Sequence, residues 1–152
     1  MDLVETTAQP WIYVRYRTSM DSAEIGRLMG EAFQKLGQFI GQNAIQPAGP
    51  PLAVYHDYSE AGMTMDVGFP VAAAAIAKAT GDVKAGETPS GKAYKILHKG
   101  PYDLLRETYG RIEEQFKTDD IPMSQTSWEV YVSDPDTTPP EDLITEIYMK
   151  AS

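Results

Sequence analysis

Two segments near the C-terminal end alternate a carboxylate with a tyrosine. Glu129 is followed two residues later by Tyr131, and Glu146 is followed by Tyr148. In a β-strand, residues two apart lie on the same face of the sheet, so each pair places a carboxylate beside a phenol ring. Ring faces attract cations, and a partly desolvated carboxylate adds selectivity for charge. If that face of the sheet is concave, the arrangement favours cationic or electron-poor aromatic ligands. The alternation alone is more typical of a solvated sheet face on which Glu and Tyr fill exposed positions, so the spacing by itself does not establish a site.

The composition excludes several classes of function. The chain has 152 residues, 13 Lys and Arg against 22 Asp and Glu, and a formal net charge of −9, so DNA, RNA and anionic membranes are not expected partners. Without cysteine there is no disulfide, thiolate nucleophile or cysteine-ligated zinc. The two histidines, His56 and His98, lie in different predicted strands, so we expect no metal site. Neither a phosphate-binding loop nor a dinucleotide fingerprint is present, and no cofactor is expected.

The length fits one domain over residues 1–152. The N-terminus lacks the basic and apolar regions of a signal peptide, and no run of about eighteen apolar residues occurs, so we expect a cytoplasmic protein without a membrane span.

The hydrophobic pattern predicts the same order of elements twice. A β-α-β-β unit is predicted over residues 11–70 and a second one over 92–150, joined by a linker over 71–91. The second helix carries its apolar residues at helical spacing: Leu105, Tyr109, Ile112 and Phe116. Two such units side by side predict an α+β fold, an antiparallel sheet with helices on one face.

The strand that contains Glu129 carries apolar residues at alternate positions. Trp128, Val130 and Val132 are expected to meet the helices. Glu129 and Tyr131 are therefore expected on the opposite face of the sheet, where a concave surface would surround the carboxylate with aromatic rings.

Short motifs in a fixed order carry a resemblance to a known family. They are Gly49-Pro50-Pro51, Asp66-Val67-Gly68-Phe69-Pro70-Val71, His98-Lys99-Gly100-Pro101-Tyr102, Trp128-Glu129-Val130-Tyr131 with Asp134-Pro135, and Thr145-Glu146-Ile147-Tyr148. From about residue 11 to 149 the chain resembles the GyrI-like small-molecule-binding domain, a family that includes the effector-binding domains of multidrug-responsive MerR- and AraC-type transcription regulators. The family's fold is implied to be a duplicated β-α-β-β unit.

The resemblance also implies a site. It implies a pocket between the two repeats, lined by aromatic side chains, in which an acidic residue pairs with lipophilic cations. By its motif, Glu129 inherits the acidic role. Tyr102 of the Gly-Pro-Tyr motif and Tyr148 of the last strand are carried over as ligand-binding candidates. Tyr13, Tyr55 and Tyr131 are included as nearby aromatic candidates.

Three functions follow from the resemblance. The predicted elements leave no space for a helix-turn-helix domain, so we expect a stand-alone member that does not bind DNA directly. The first function is binding of lipophilic, often cationic small molecules. The second is hydrolysis of strained, cyclopropane-bearing natural products, in which Glu129 acts on water and Tyr102 or Tyr148 donates a hydrogen bond to the developing oxyanion. The third is contact of an acidic surface with a basic protein partner, as in a gyrase inhibitor.

Overall fold

The computed structural model describes residues 1–151. It contains eight strands and two α-helices, with short 3₁₀ turns at Ala73–Lys78, Tyr102–Leu104 and Pro140–Asp142. In chain order the elements are β1 (Asp2–Thr6), β2 (Pro10–Thr18), α1 (Ser22–Asn43), β3 (Leu52–Ser59), β4 (Gly62–Pro70), β5 (Val83–Glu87), β6 (Gly91–Lys99), α2 (Leu105–Thr118), β7 (Ser127–Tyr131) and β8 (Ile144–Lys150).

Helix α1 begins and ends at residues suited to these positions. The carboxylate of Asp21 accepts a hydrogen bond from the backbone N–H of Ala23, which caps the N-terminus. Ala44 adopts a left-handed conformation with φ of 51°, and its N–H bonds to the carbonyl of Ile40, which ends the helix. In the part of the chain that the structure describes, neither α1 nor α2 combines the length and apolar character that crossing a membrane requires.

All eight strands form one antiparallel sheet in the order β1-β6-β8-β7-β3-β4-β2-β5. Outward from the central pair of β3 and β7, one side continues with β4, β2 and β5, and the other with β8, β6 and β1. The two halves are therefore related by an approximate two-fold axis that passes between β3 and β7. The α+β class and the duplication predicted from the sequence are confirmed.

Each repeat has one strand more than the sequence indicated. Strand β1 lies before the predicted first unit, and β5 lies within the predicted linker. Each extra strand pairs with the other half of the molecule, because β1 pairs with β6 and β5 pairs with β2. The repeats therefore exchange their first strands, and this exchange ties the two edges of the sheet to each other.

The exchange forces the sheet to curve. In a flat sheet β1 and β2 would be about 29 Å apart, whereas the connection from Thr6 to Pro10 spans at most about 14 Å. The equivalent connection from Glu87 to Gly91 imposes the same limit. The two connections also bond to each other, since the N–H of Thr88 donates to the carbonyl of Gln9 and the N–H of Gln9 donates to Oγ1 of Thr88, both at 2.9 Å.

The two faces of the curved sheet bury different cores. The helices cover the outer face, where α1 packs against residues of β2, β3 and β4, while Ile112 and Phe116 of α2 pack against Ile147 and Met149. The inner face holds a small core without helical residues. Its members are Trp11, Leu52, Val54, Ala93 and Trp128.

The predicted orientation of β7 is wrong. Trp128 lies in the inner core with Val130 packed against it, whereas Tyr131 belongs to the core under α1. Glu129 and Tyr131 therefore face the helices, and Trp128 and Val130 face away from them. Val132 lies beyond the end of β7 and is exposed. Both faces of this strand are buried, so the apolar alternation does not identify the face that meets the helices.

The close approach of β2 and β4 leads to a first prediction. A Cβ atom on Gly68 would lie 1.9 Å from the carbonyl oxygen of Ile12, so Gly68→Ala must push the two strands apart. We expect this change to lower the free energy of unfolding by more than about 2 kcal/mol in urea denaturation. The matched control is Gly26→Ala on the exposed surface of α1, where a Cβ meets no atom within 4 Å. The control should raise stability by about 1 kcal/mol, and an equally stable Gly68→Ala variant would contradict the strand spacing.

Candidate functional site

Glu129 is a buried carboxylate surrounded by phenol groups. Its exposed fraction is 4%. Tyr131 donates a hydrogen bond to Oε1 at 2.7 Å and Tyr55 donates to the same oxygen at 3.3 Å. Tyr109 of α2 donates to Oε2 at 2.5 Å. The carboxylate therefore bonds to groups from strands β3 and β7 and from helix α2, at the contact between the two repeats.

Burial sets the protonation behaviour of this cluster. It raises the pKa of Glu129, while the hydrogen bonds from Tyr109, Tyr131 and Tyr55 act in the opposite direction because they stabilise the charged form. Burial, followed by the charge of Glu129, raises the pKa of Tyr55, Tyr109 and Tyr131 well above the usual value. The three phenols thus remain hydrogen-bond donors throughout the physiological range.

The approximate two-fold axis passes close to Glu129. Ala53 of β3 is the direct cross-strand partner of Glu129 on β7, in the central strand pair. Tyr55 and Tyr131 each follow two residues after this pair, so they are equivalent positions of the two repeats, and both bond to Oε1 of Glu129. Where the second repeat has a carboxylate, the first has the methyl group of an alanine.

The same contrast occurs at the surrounding positions. The buried residues Leu28, Ala32 and Leu36 of α1 have the same spacing as Thr108, Ile112 and Phe116 of α2. Met29 is accordingly the counterpart of Tyr109, and its sulfur lies 3.5 Å from the hydroxyl oxygen of Tyr131, whose proton is donated to Glu129. In the strands, Met65 pairs with Tyr55 as Thr145 pairs with Tyr131. The second repeat thus supplies the polar half of the site and the first repeat supplies the apolar half.

The polar half continues into a buried histidine and two threonines. His98 approaches Oγ1 of Thr108 at 2.7 Å through Nδ1 and the carbonyl of Pro101 at 3.0 Å through Nε2. Arg111 also donates to Oγ1 of Thr108, so the hydroxyl proton of Thr108 is free to bond to Nδ1 and Nε2 carries the ring proton. These contacts hold the first turn of α2 in place, because Thr108 lies in that turn and directly precedes Tyr109. Thr145, between His98 and Tyr131 in the sheet register, is fully buried, and its hydroxyl has no partner among residues 1–151.

The sequence-predicted site residues divide between the two faces of the sheet. Tyr55 and Tyr131 bond to Glu129, as described above. Tyr102 lies at the edge of the cluster around Glu129 and is 36% exposed. Its ring is edge-on to that of Tyr131, with 5.7 Å between the ring centroids. Tyr13 and Tyr148 are on the inner face, where Tyr13 stacks on Trp11 and Tyr148 stacks on Trp128. Glu146 is also there and bonds to Tyr148 rather than joining Glu129.

Tyr109 is the site residue that sequence reasoning missed. Its helical spacing with Leu105 and Ile112 predicts a position on the apolar side of α2, so it is not among the predicted site residues. The signal that identifies it is the phenol group, because a buried tyrosine hydroxyl needs a hydrogen-bond partner and the site contains a buried carboxylate.

Several solved structures share this fold. The C-terminal domain of EcmrR superposes with a TM-score of 0.79 at 20% identity, covering 99% of this chain and 97% of that one. SAV2435 bound to tetraphenylphosphonium gives a TM-score of 0.69 at 14% identity, covering 97% and 91% of the two chains. A hydrolase encoded by lin2189 from Listeria innocua gives 0.58 at 14% identity, covering 99% and 91%. At these identities the likeness shows the fold alone.

The sequence itself gives the family. No curated protein sequence matches the chain. A family model described as the GyrI-like small molecule binding domain matches residues 1–151, which include both repeats and Glu129 at their contact. The chain therefore belongs to the GyrI-like small molecule binding domain family.

Proposed function

We propose that the protein binds lipophilic cations on the outer face of the sheet, with Glu129 as the counter-ion. One observation carries the proposal: a buried carboxylate at the contact between the repeats is held by three phenols, and not by a lysine or arginine. A buried charge without an ionic partner is costly, and a bound cation removes that cost. At 4 Å and an effective dielectric near 20, the attraction is on the order of 4 kcal/mol before desolvation is subtracted.

The two halves of the site favour an amphipathic ligand. Glu129 and Tyr109 of the second repeat offer charge and ring faces to a cationic centre. Ala53, Met29 and Met65 of the first repeat offer apolar surface, and methionine adapts to ligands of different shape. The ligand is therefore oriented with its charged end toward α2 and its apolar body toward α1.

Tyr109 controls access to the carboxylate. Glu129 is covered in this conformation, so a ligand that contacts it must displace one of the three phenols. Tyr55 and Tyr131 are buried in the sheet, whereas Tyr109 is half-buried on a helix next to the exposed 3₁₀ turn at Tyr102–Leu104. Tyr109 is the group with the least packing to lose, and its displacement exposes Oε2.

The family and one relative support this class of ligand. The family model describes small-molecule binding, and the structure of SAV2435 contains tetraphenylphosphonium, a lipophilic cation. The fold and a buried carboxylate at the repeat contact are present in this chain, which makes tetraphenylphosphonium a suitable probe.

Hydrolysis is a second candidate, favoured by the raised pKa of Glu129 beside phenol donors. A buried carboxylate of raised pKa is suited to general base catalysis, and Tyr109 would be the donor to a developing oxyanion. Tyr148, considered for that role from the sequence, is on the inner face. Binding is the simpler function, since it needs only the carboxylate and the apolar half.

The binding proposal predicts a charge-dependent affinity for tetraphenylphosphonium. Glu129→Gln keeps the shape of the side chain and removes its charge, so we expect the dissociation constant measured by calorimetry to rise about tenfold or more, which corresponds to about 1.4 kcal/mol. The isosteric anion tetraphenylborate should bind weakly to the wild type and gain affinity in the variant.

Glu146→Gln is the matched control. Glu146 is a carboxylate of the neighbouring strand on the inner face, where it pairs with Lys95 at 3.1 Å. Its substitution should leave the affinity for tetraphenylphosphonium unchanged. Equal effects of the two substitutions, or none from Glu129→Gln, would contradict a counter-ion role for Glu129.

The buried carboxylate also predicts a pH-dependent stability. Because burial raises the pKa of Glu129 in the folded state, the folded protein retains this proton to higher pH than the unfolded chain does. The stabilisation that protonated Glu129 contributes is fully present below its unfolded pKa of about 4.3. It is lost as the pH rises through the pKa of Glu129 in the folded protein. We expect the free energy of unfolding of the wild type to increase, relative to Glu129→Gln, as the pH is lowered from about 8 to about 5. A difference that is constant with pH would contradict the raised pKa.

A further inference from the structure

The inner face contains a cavity that is separate from Glu129. It has a volume of about 340 Å³ and lies where β2 and β5 curve toward the end of β8. Trp11 and Val54 provide apolar walls, and Arg15, His56, Asp66 and Lys150 provide charged ones. The volume is within the range of small-molecule sites. The sheet separates this cavity from the outer face, because Val54 and Tyr55 are adjacent residues of β3 on opposite faces.

An ion network around the buried carboxylate of Asp66 forms the base of the cavity. The guanidinium of Arg15 donates to both oxygens of Asp66, from Nε at 2.7 Å and from Nη2 at 2.9 Å. Nε2 of His56 lies 3.0 Å from Oδ2 of Asp66, and Nδ1 lies 3.0 Å from Oδ2 of Asp57. The side chain of Asp66 is only 6% exposed, whereas those of Arg15 and His56 are 45% and 23% exposed, so the buried carboxylate is the fixed member and its hydrogen bonds orient the other two. The carboxylates of Asp66 and Asp57 are thus already engaged by groups that line the cavity.

Hydrogen-bond donors remain after this pairing. Arg15 uses its Nε and Nη2 edge for Asp66, which leaves Nη1 for another acceptor, and its side chain is 45% exposed. Lys150 is exposed, and no carboxylate of residues 1–151 lies within 4.0 Å of its ammonium group. Three carboxylates also line the cavity: Asp66 and Asp57 are bonded to Arg15 and His56, and Glu87 is the remaining one. Two cationic donors therefore point to a ligand that carries a negative group.

The inward-facing strand positions outside the cavity carry more cations than carboxylates. In the strand register, further inward-facing positions are occupied by Arg17, Lys84, Lys95 and Lys99, against Asp2 and Glu146. Lys95 pairs with Glu146 and Lys99 lies 4.0 Å from Asp142, whereas Arg17 and Lys84 have no carboxylate of residues 1–151 within 4.0 Å. A local positive field attracts anions to a concave surface and increases their rate of association.

We propose that the inner cavity is a second small-molecule site, selective for a small organic anion such as an aromatic carboxylate. Arg15 and Lys150 bind the carboxylate, and the aromatic body packs against Trp11 and Val54. Arg15 is well suited to this role because Asp66 orients its guanidinium, so little side-chain freedom is lost on binding. The proposal does not depend on the cation site: the two sites lie on opposite faces and have opposite charge preferences.

The test uses 2-naphthoate and its neutral analogue 2-naphthamide as probes, with the full chain. Binding is followed by calorimetry and by the indole N–H signals of Trp11 and Trp128 in NMR spectra. We expect 2-naphthoate to shift the Trp11 signal at a concentration at which 2-naphthamide does not. Its affinity should fall as the salt concentration rises.

Two lysine substitutions separate the site from the general charge of the face. Lys150→Gln removes the exposed donor without leaving a buried partner, and we expect it to weaken 2-naphthoate binding about fivefold or more. Lys84→Gln removes a charge from the same face outside the cavity and should leave the affinity within about twofold. Arg15 is not suited to this test, because its loss would leave Asp66 buried and unpaired.

The remaining outcomes of these binding experiments contradict the proposed anion site. Equal binding of the acid and the amide, no effect of Lys150→Gln, or equal effects of the two lysine variants would overturn the proposal. Glu129→Gln should leave 2-naphthoate affinity unchanged, and a large loss in that variant would assign the probe to the outer face. This outcome is independent of the tetraphenylphosphonium result, so either site can fail without the other.

Discussion

The structure is organised around one buried carboxylate at the contact between its two halves. Glu129 lies opposite Ala53 in the central strand pair and accepts hydrogen bonds from three tyrosines, two of which are equivalent under the approximate two-fold axis. These phenols supply enough polarity to hold the group inside the protein, but they supply no positive charge. The carboxylate therefore lies inside the protein with neutral hydrogen-bond donors around it, and the proposed cation would supply the missing positive charge.

The exchange of first strands has consequences for both sites. The short connections Thr6–Pro10 and Glu87–Gly91 draw the edges of the sheet together, so the inner face becomes concave and the helices occupy the outer face. Successive side chains of each strand then face opposite sides of the sheet. On β7, Glu129 faces the helices while its neighbour Trp128 fills the inner core.

The sequence predicted the elements and the acidic residue better than it predicted their environment. Hydrophobic periodicity predicted both β-α-β-β units, and the motif around Trp128 indicated Glu129. It missed β1 and β5, because these are short edge strands whose partners lie in the other repeat and whose pairing no local pattern records. It reversed the faces of β7 because both are buried. The sequence could not distinguish Tyr13 and Tyr148 from Tyr55. Alternation shows which residues of one strand share a face, but it does not show whether residues of two different strands lie on the same face of the sheet.

The proposed counter-ion role of Glu129 depends most directly on the protonation of its carboxyl group and on how a bound cation changes it. Titration of the Glu129 carboxyl carbon by NMR, with and without tetraphenylphosphonium, measures both. We expect the pKa of Glu129 to lie above the ordinary glutamate value in the free protein, because the group is buried, and to fall when the cation binds. If Glu129 titrates at the ordinary glutamate value and its pKa does not change when tetraphenylphosphonium is added, its role as the counter-ion of a bound cation is contradicted.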